Sequence, residues 1–217
     1  FYFDFYNELL PSGQTQLNPR VTRLAAADWL REQSLPHADE RKNLPPPDNT
    51  PVTELDFALL CTVQAVGNEV LSDGRPRGWA QARPIAKPLT LMQRIHVSQH
   101  PGAQPLTGST GSICQLPPNG ARIRYDASTL SVSSGSPCWD NSYRLVALHN
   151  FGGVITVHGK LNQGVPINLI LQQLAKCANP VHLAGPLPGA LGAPAANVAN
   201  LAISYPSALA QGQNRIW

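Results

Sequence analysis

The chain has 217 residues, of which 42% are hydrophobic and only 13% charged, with a net charge of +3. That is enough apolar material to bury a proper core in one or two domains. The arginines are scattered, forming neither a nucleic-acid footprint nor a polybasic membrane patch, and no apolar run reaches the roughly 18 residues that a membrane span needs.

In chain order, the opening "FYFDFY" (1–6) alternates around Tyr2, Asp4 and Tyr6 and predicts a short strand, followed by the turn "LPSGQ". It lacks the basic-then-apolar layout of a signal peptide. "AAADWLREQSL" (25–35) suits a short helical turn, and the polar, proline-rich "HADERKNLPPPDNTP" (37–51) an exposed loop. "ELDFALLCTV" (54–63) predicts a compact apolar strand, and "GRPRGWAQARPIAKP" (74–88) a proline-punctuated connector. Short strands then follow in "QRIHVSQH" (93–100), "GSICQL" (111–116), "ARIRYDA" (121–127), "YRLVALHNFG" (143–152) and "GVITVHG" (153–159). Strands of this length, separated by Gly, Pro and Asn, predict an all-β sandwich or barrel. The one convincing helix is "PINLILQQLAKCA" (166–178), which sets Ile167, Ile170, Leu171 and Leu174 on one face. Beyond it, "LAGPLPGALGAPAANVAN" (183–200) is too poor in large apolar groups for a core and predicts a linker or tail.

Cys61, Cys114, Cys138 and Cys177 are widely spaced, without a CxxC pair or a Cys/His cluster at zinc spacing, so no metal site is expected. Cys61 follows "FALL" like a small core residue, which favours free thiols and a reducing, cytoplasmic compartment over secretion.

The stretch "LSVSSGSPCW" (130–139) is turn chemistry first: glycine supplies backbone freedom, proline fixes φ, and short hydroxyls bond back to the backbone. It also meets one requirement of nucleophilic hydrolysis, which needs an alcohol in a tight turn, a histidine to take its proton, a carboxylate to orient that histidine, and backbone N–H donors for the oxyanion. Ser134 is the candidate alcohol, with the amides of Val132 and Ser134 able to aim at one point. Asp56 heads an otherwise apolar strand, where an isolated buried carboxylate is costly without a partner. Its plainer reading is a strand-edge aspartate bonding nearby amides.

Taken in order, "ELDFALL", "GRPRGWA", "IHVSQHPGAQP", "RIRYDASTLSVSSGSPCWD", "RLVALHNFGG" and "NQGVPINLIL" resemble the trypsin-like serine peptidases of the V8 (glutamyl endopeptidase) type, from about residue 54 to 174. The resemblance implies an all-β, chymotrypsin-like double β-barrel with a C-terminal helix. Residues 1–87 would be the remainder of the first barrel, 88–178 the second barrel plus helix, and 179–217 an Ala/Gly/Pro-rich tail. It assigns Ser134 as nucleophile, Asp56 as triad acid, and the amides of Val132 and Ser134 as the oxyanion hole. Thr129 and His149 fall where glutamate-specific members receive an acidic side chain, and Asn150, Phe151 and Gly152 would present backbone to an extended substrate. The implied activity is endoproteolysis through an acyl-enzyme, after Glu or Asp, with a polypeptide substrate and no cofactor, nucleic-acid or membrane partner. The alternative is a catalytically silent trypsin-like domain that binds peptides or protein partners in the same cleft.

The sequence departs from the family pattern twice. The family's histidine precedes the strand that "FYFDFY" resembles, so the chain is expected to begin after it, with the histidine on a missing N-terminal segment; a fused effector or sensor domain is a further partner that the resemblance implies. His37 is the one histidine ahead of Asp56, in "SLPHADE", without the family's apolar and small surroundings. Val132 stands where the family has glycine, and a β-branched residue resists the backbone conformation that turns an N–H into the hole.

Overall fold

The computed structural model describes residues 1–18, 21–71 and 74–176, and these residues are dominated by β-strand. In the first half, β1 (Tyr2–Phe3) pairs with β4 (Val21–Thr22), β2 (Asn7–Leu9) with β3 (Thr15–Leu17), and β5 (Ala25–Ser34) with β6 (Phe57–Thr62), all antiparallel. They remain three separate two-stranded sheets. In the second half, β7 (Arg94–Gln99), β8 (Thr107–Gln115), β9 (Ile123–Tyr125), β10 (Pro137–Trp139), β11 (Leu145–Thr156) and β12 (Gly159–Pro166) form a closed barrel in the order β10-β11-β12-β9-β8-β7. The barrel shuts because β10 pairs with β11 on one side and with β7 on the other. This is the all-β, chymotrypsin-like class expected from the sequence, with one closed barrel and, in the first half, three two-stranded sheets.

Two packed clusters hold it together. Strand periodicity turns Ile95 and Val97 inward, where Ile113, Ile123, Tyr125, Cys138 and Val146 fill the barrel. Leu55, Phe57 and Leu59, around the start of β6, pack instead with Leu145, Leu148 and Val165 of the barrel wall and with α2 (Ile167–Leu174). Burying each such side chain contributes about 1.5–3 kcal/mol. Because β6 belongs to the first half and its neighbours to the second, this cluster joins the halves. Helix α2 buries Ile167, Ile170 and Leu174 of the predicted face, leaves Leu171 half-buried, and starts with Pro166 as its N-cap.

Several expectations need correction. Residues 25–35 form no helical turn; Ala25 pairs with Thr62, Leu30 with Leu60 and Ser34 with Phe57, so cross-strand pairing overrides the local preference of Ala, Leu and Glu for helix. Residues 37–51 are not simply an exposed loop. They contain α1 (Ala38–Arg41), whose cap is reciprocal between His37 and Glu40, and Glu40 is buried with 2% of its surface exposed. The opening strand is confined to Tyr2–Phe3, since Asp4 takes φ 61 and is drawn to the Arg77 guanidinium at 2.9 and 2.5 Å. Residues 143–159 give one long strand, β11, rather than two, and β12 after it had no separate expectation. Cys61, Cys114 and Cys138 carry no disulfide. Cys177 and the expected tail at 179–217 lie outside the described residues.

Candidate active site

The turn before β10 is fixed from both sides. Ser133 is buried and its hydroxyl donates to Gln99 Oε1 at 2.7 Å, while the Gln99 amide donates to Ser109 Oγ at 3.0 Å and to the Ser128 carbonyl at 2.8 Å. On the other side Gly135 N–H donates to the His149 carbonyl and His149 N–H to the Ser136 carbonyl, each at 2.8 Å. Ser134 sits between these anchors, half-buried, with Oγ donating to the Asn150 carbonyl at 3.3 Å. Val132 does adopt the left-handed region, at φ 67, despite its β-branch. Among the described residues neither the Val132 nor the Ser134 N–H has a hydrogen-bond acceptor. The turn therefore holds a hydroxyl and two uncommitted amides within three residues.

Asp56 lies just ahead of β6, in backbone fixed by the Leu55 N–H donating to Ser34 Oγ at 2.8 Å and Ser34 donating to the Thr53 carbonyl at 2.7 Å. Its side chain is buried, with 5% of the residue exposed. Oδ2 accepts from Asn150 Nδ2 at 3.1 Å, whereas Oδ1 is buried with no partner. Burial, and secondarily the negative charge of Glu40, push the carboxyl up to about 7, against the opposing Asn150 bond and the Arg122 charge. Asn150 thus touches both sequence-predicted groups: its side chain holds Asp56 and its carbonyl holds Ser134.

Glu40, Arg122 and Gln163 were missed by the sequence reading. Glu40 and Arg122 pair through Nη2 at 2.8 Å with both side chains 1% exposed, and Gln163 Nε2 donates to Glu40 Oε1 at 3.0 Å. The available signal was His37-Ala38-Asp39-Glu40, which has the spacing of a reciprocal N-cap. That spacing predicts a helix start, not a buried acid.

The remaining site residues line up along β11. His149 is 3% exposed, with Nδ1 2.7 Å from the Tyr125 hydroxyl inside the barrel, and burial lowers its pKa to about 4. It is therefore a neutral imidazole at physiological pH. A Cβ built at Gly152 would stand 3.9 Å from Thr129 Oγ1 and 3.0 Å from Asn162 Oδ1, so Thr129 and Asn162 face the exposed Gly152. Phe151 turns inward and is 7% exposed. β10 accompanies β11 only over Leu145–Leu148, so from Asn150 onward one edge of β11 lacks a neighbouring strand among the described residues. An open edge of this kind accepts an extended peptide as an added strand.

None of the described histidines bonds to Asp56 or Ser134. His37 caps α1, its Nδ1 accepting the Asp39 N–H at 3.1 Å. His96 bridges Thr110 and Asn141, and His100 contacts the Gln104 carbonyl. His182 lies outside the described residues. Among the described residues there is no cluster of three potential metal ligands and no helix long and apolar enough to cross a membrane.

Comparison with known proteins places the chain in a family. The chain is 31% identical over 103 residues to a glutamyl endopeptidase of Staphylococcus epidermidis, an alignment covering 42% of this chain and 34% of that protein. The chain thus spans about a third of the length of the curated relatives it matches. Among solved structures, a Glu endopeptidase in complex with MPD gives a TM-score of 0.40 at 23% identity, covering 54% of this chain and 53% of the other. A Mycobacterium tuberculosis H37Rv protein in an inactive mutant form gives 0.38 at 16% identity, covering 57% and 67%. The assignment rests on neither superposition but on the family match over residues 13–148, more than half the chain, which includes Asp56, Ser134 and the turn between them and β11. The chain belongs to the trypsin-like peptidase domain family.

Proposed function

We propose that the chain is a serine endopeptidase domain in which Ser134 is the nucleophile and Asp56 the acid that orients the general base. Family membership implies polypeptide substrates. The observation that carries the reading is the chain of contacts from Ser134 through Asn150 to Asp56, ending on a buried carboxylate oxygen with no donor. A lone buried acceptor costs about 1–3 kcal/mol, and a histidine N–H placed on Asp56 Oδ1 would satisfy it. That histidine comes from outside the described residues. Once it accepts the Ser134 proton and becomes cationic, its charge favours ionised Asp56 and pulls the carboxyl below its isolated value.

In this reading Ser134 Oγ attacks the substrate carbonyl carbon as its proton passes to the histidine. The Val132 and Ser134 amides receive the developing oxyanion. The proton then moves to the leaving amine, the peptide C–N bond breaks, and water hydrolyses the acyl-enzyme by the reverse path. The substrate lies along Asn150–Gly152. A Glu or Asp on the acyl side of the cut bond would be met by Thr129 and neutral His149 through hydrogen bonds rather than an ion pair, in keeping with the name of the staphylococcal relative. Residues 1–87 and 88–178 act as the two halves flanking this cleft.

Chemical complementation tests the assignment. Free imidazole, added to the chain with a fluorophosphonate probe, should accelerate Ser134 labelling saturably, and the gain should vanish in Asp56→Asn. Labelling that ignores imidazole, or maps to another serine, would sink it.

A further inference from the structure

Five hydrogen bonds converge on the Glu40 carboxylate. Arg122 donates from Nε at 3.1 Å and Nη2 at 2.8 Å, Asn150 Nδ2 at 2.8 Å, Gln163 Nε2 at 3.0 Å and the His37 backbone N–H at 2.9 Å. Apart from the local His37 N–H, the donors come from three separate parts of the second half: the residue before β9, β11 and β12. A buried ion pair is a weak source of stability, because desolvation offsets the Coulombic attraction. What the arrangement does achieve is to fix Asn150.

The Asn150 amide carries two N–H donors and one acceptor. Its NH2 group meets Glu40 Oε1 and Asp56 Oδ2, and its Oδ1 accepts from Gln163 at 3.3 Å. Turning the amide over would set its oxygen against two carboxylates and face its NH2 toward the Gln163 NH2. With Glu40 present that inverted state is excluded even when Asp56 is protonated. Without Glu40, nothing negative would oppose it once Asp56 carries a proton. The same residue supplies the carbonyl that accepts from Ser134. We infer that Glu40 is a positioning residue for the candidate active site: it fixes the orientation of Asn150, and through it the place of the Asp56 carboxylate and of the carbonyl that holds Ser134. This rests on the reading of Asp56 and Ser134 as catalytic groups.

Glu40 also stands as a second negative charge beside Asp56. The charged groups that act on Asp56 are Glu40 from α1 and Arg122 from the residue before β9, with the Asn150 amide facing it from β11. The two contacts that Glu40 organises act on Asp56 in opposite directions: the Glu40 charge raises its pKa and the Asn150 hydrogen bond lowers it.

The test is a carboxyl-carbon NMR titration of the chain labelled at aspartate, with the Asp56 signal identified by its loss in Asp56→Asn. Asp56 should titrate near 7 in the parent chain. Glu40→Gln should lower that midpoint by about one pH unit, as loss of a nearby like charge does, and Asn150→Ala should raise it. If Glu40→Gln does not fold, Glu40→Gln combined with Arg122→Gln leaves no unpaired buried charge and should still lower the midpoint, because Glu40 acts on Asp56 more strongly than Arg122 does. The orientation itself is read from the Asn150 side-chain NH2 protons, whose shifts should change through the Asp56 titration far more in Glu40→Gln, where the amide is free to invert, than in the parent; identical Asn150 amide behaviour in the two chains overturns the proposal. No step of this titration requires Ser134 to react. Opposed shifts in a chain whose Ser134 labelling ignores added imidazole would therefore reject the peptidase reading while leaving the Glu40–Asn150–Asp56 linkage standing.

Discussion

Replacing Val132 with glycine is expected to stabilise the chain, against the usual effect of glycine. Val132 holds φ 67 in the turn before Ser134, where an L-residue loses roughly 1–2 kcal/mol to the contact between Cβ and the carbonyl, and its β-branch puts it toward the upper end. Glycine removes that strain and returns about 0.5–1 kcal/mol through its greater freedom in the unfolded chain. The side chain is only half-buried, so little packing is lost. The net expectation is about 0.5–1 kcal/mol of added stability, or roughly 1–4 °C in Tm for a chain of this size. Thermal melts followed by circular dichroism, backed by urea titrations with an unchanged slope, measure it. Val132→Ala is the control: it keeps Cβ, so it should gain less than glycine. A Val132→Gly chain that melts 2 °C or more below the parent would refute the reasoning, since the valine side chain would then be holding the turn rather than straining it. In the imidazole-complemented labelling assay the same variant should react at least as fast as the parent, because glycine presents the residue-132 amide without strain.

Arg122→Met should cost about 3–5 kcal/mol in urea denaturation, because it strands the Glu40 carboxylate in the interior, and Glu40→Gln added to it should recover part of the loss. Leu59→Ala should cost about 2–5 kcal/mol by opening a cavity where β6 meets α2 and the barrel wall; a loss under 1 kcal/mol would mean the halves are not joined there. Burial raises the folded pKa of Asp56 to about 7 from 3.8 for a free aspartate, so the folded state holds an extra proton between those values and stability falls as pH rises through that window. Asp56→Asn should abolish this fall and be the more stable chain at pH 8. His149 contributes the opposite slope, since its folded value of about 4 lies below 6.5 and stability is lost as pH falls from 6.5 to 4. Acid destabilisation should therefore be steeper in Asp56→Asn than in the parent. In a form competent for turnover, peptides differing only at the acyl-side residue should be cut faster after Glu than after Lys or Leu, and His149→Ala should erase the difference; preferred cleavage after Lys would reject the assigned pocket.

The parts of the molecule that were legible in the sequence are those specified locally. Ser-Gly-Ser-Pro announces its own turn, alternation in "RIHVSQ" announces a half-buried strand, and the spacing of Ile167, Ile170 and Leu174 announces α2. Asp56 stood out because a carboxylate beside "FALL" has few places to go. Glu40 was lost among the charges of a polar loop, because what buries it lies far away: its partners Arg122 and Gln163 are 82 and 123 residues along the chain. β5 was misread for the same reason, its conformation being set by β6 across the sheet rather than by its own residues. Val132 shows the reverse case. The local rule against a β-branched residue in the left-handed region is correct as an energy, yet the anchors on both sides of the turn outweigh it.

The open stretch of β11 ends abruptly. Gly153 takes φ 87, and the register with β12 shifts between Gly152 and Val154, so the strand swerves three residues after Asn150 with Lys160 against the bend. With a further register shift between His149 and Phe151, a guest chain finds only a short run of backbone to zip against. Such a run is enough to hold a peptide in one direction but too brief to recruit a second copy of the protein edge to edge, and it leaves most sequence discrimination to side-chain pockets. Lengthening it, by straightening the bend, would trade discrimination for self-association.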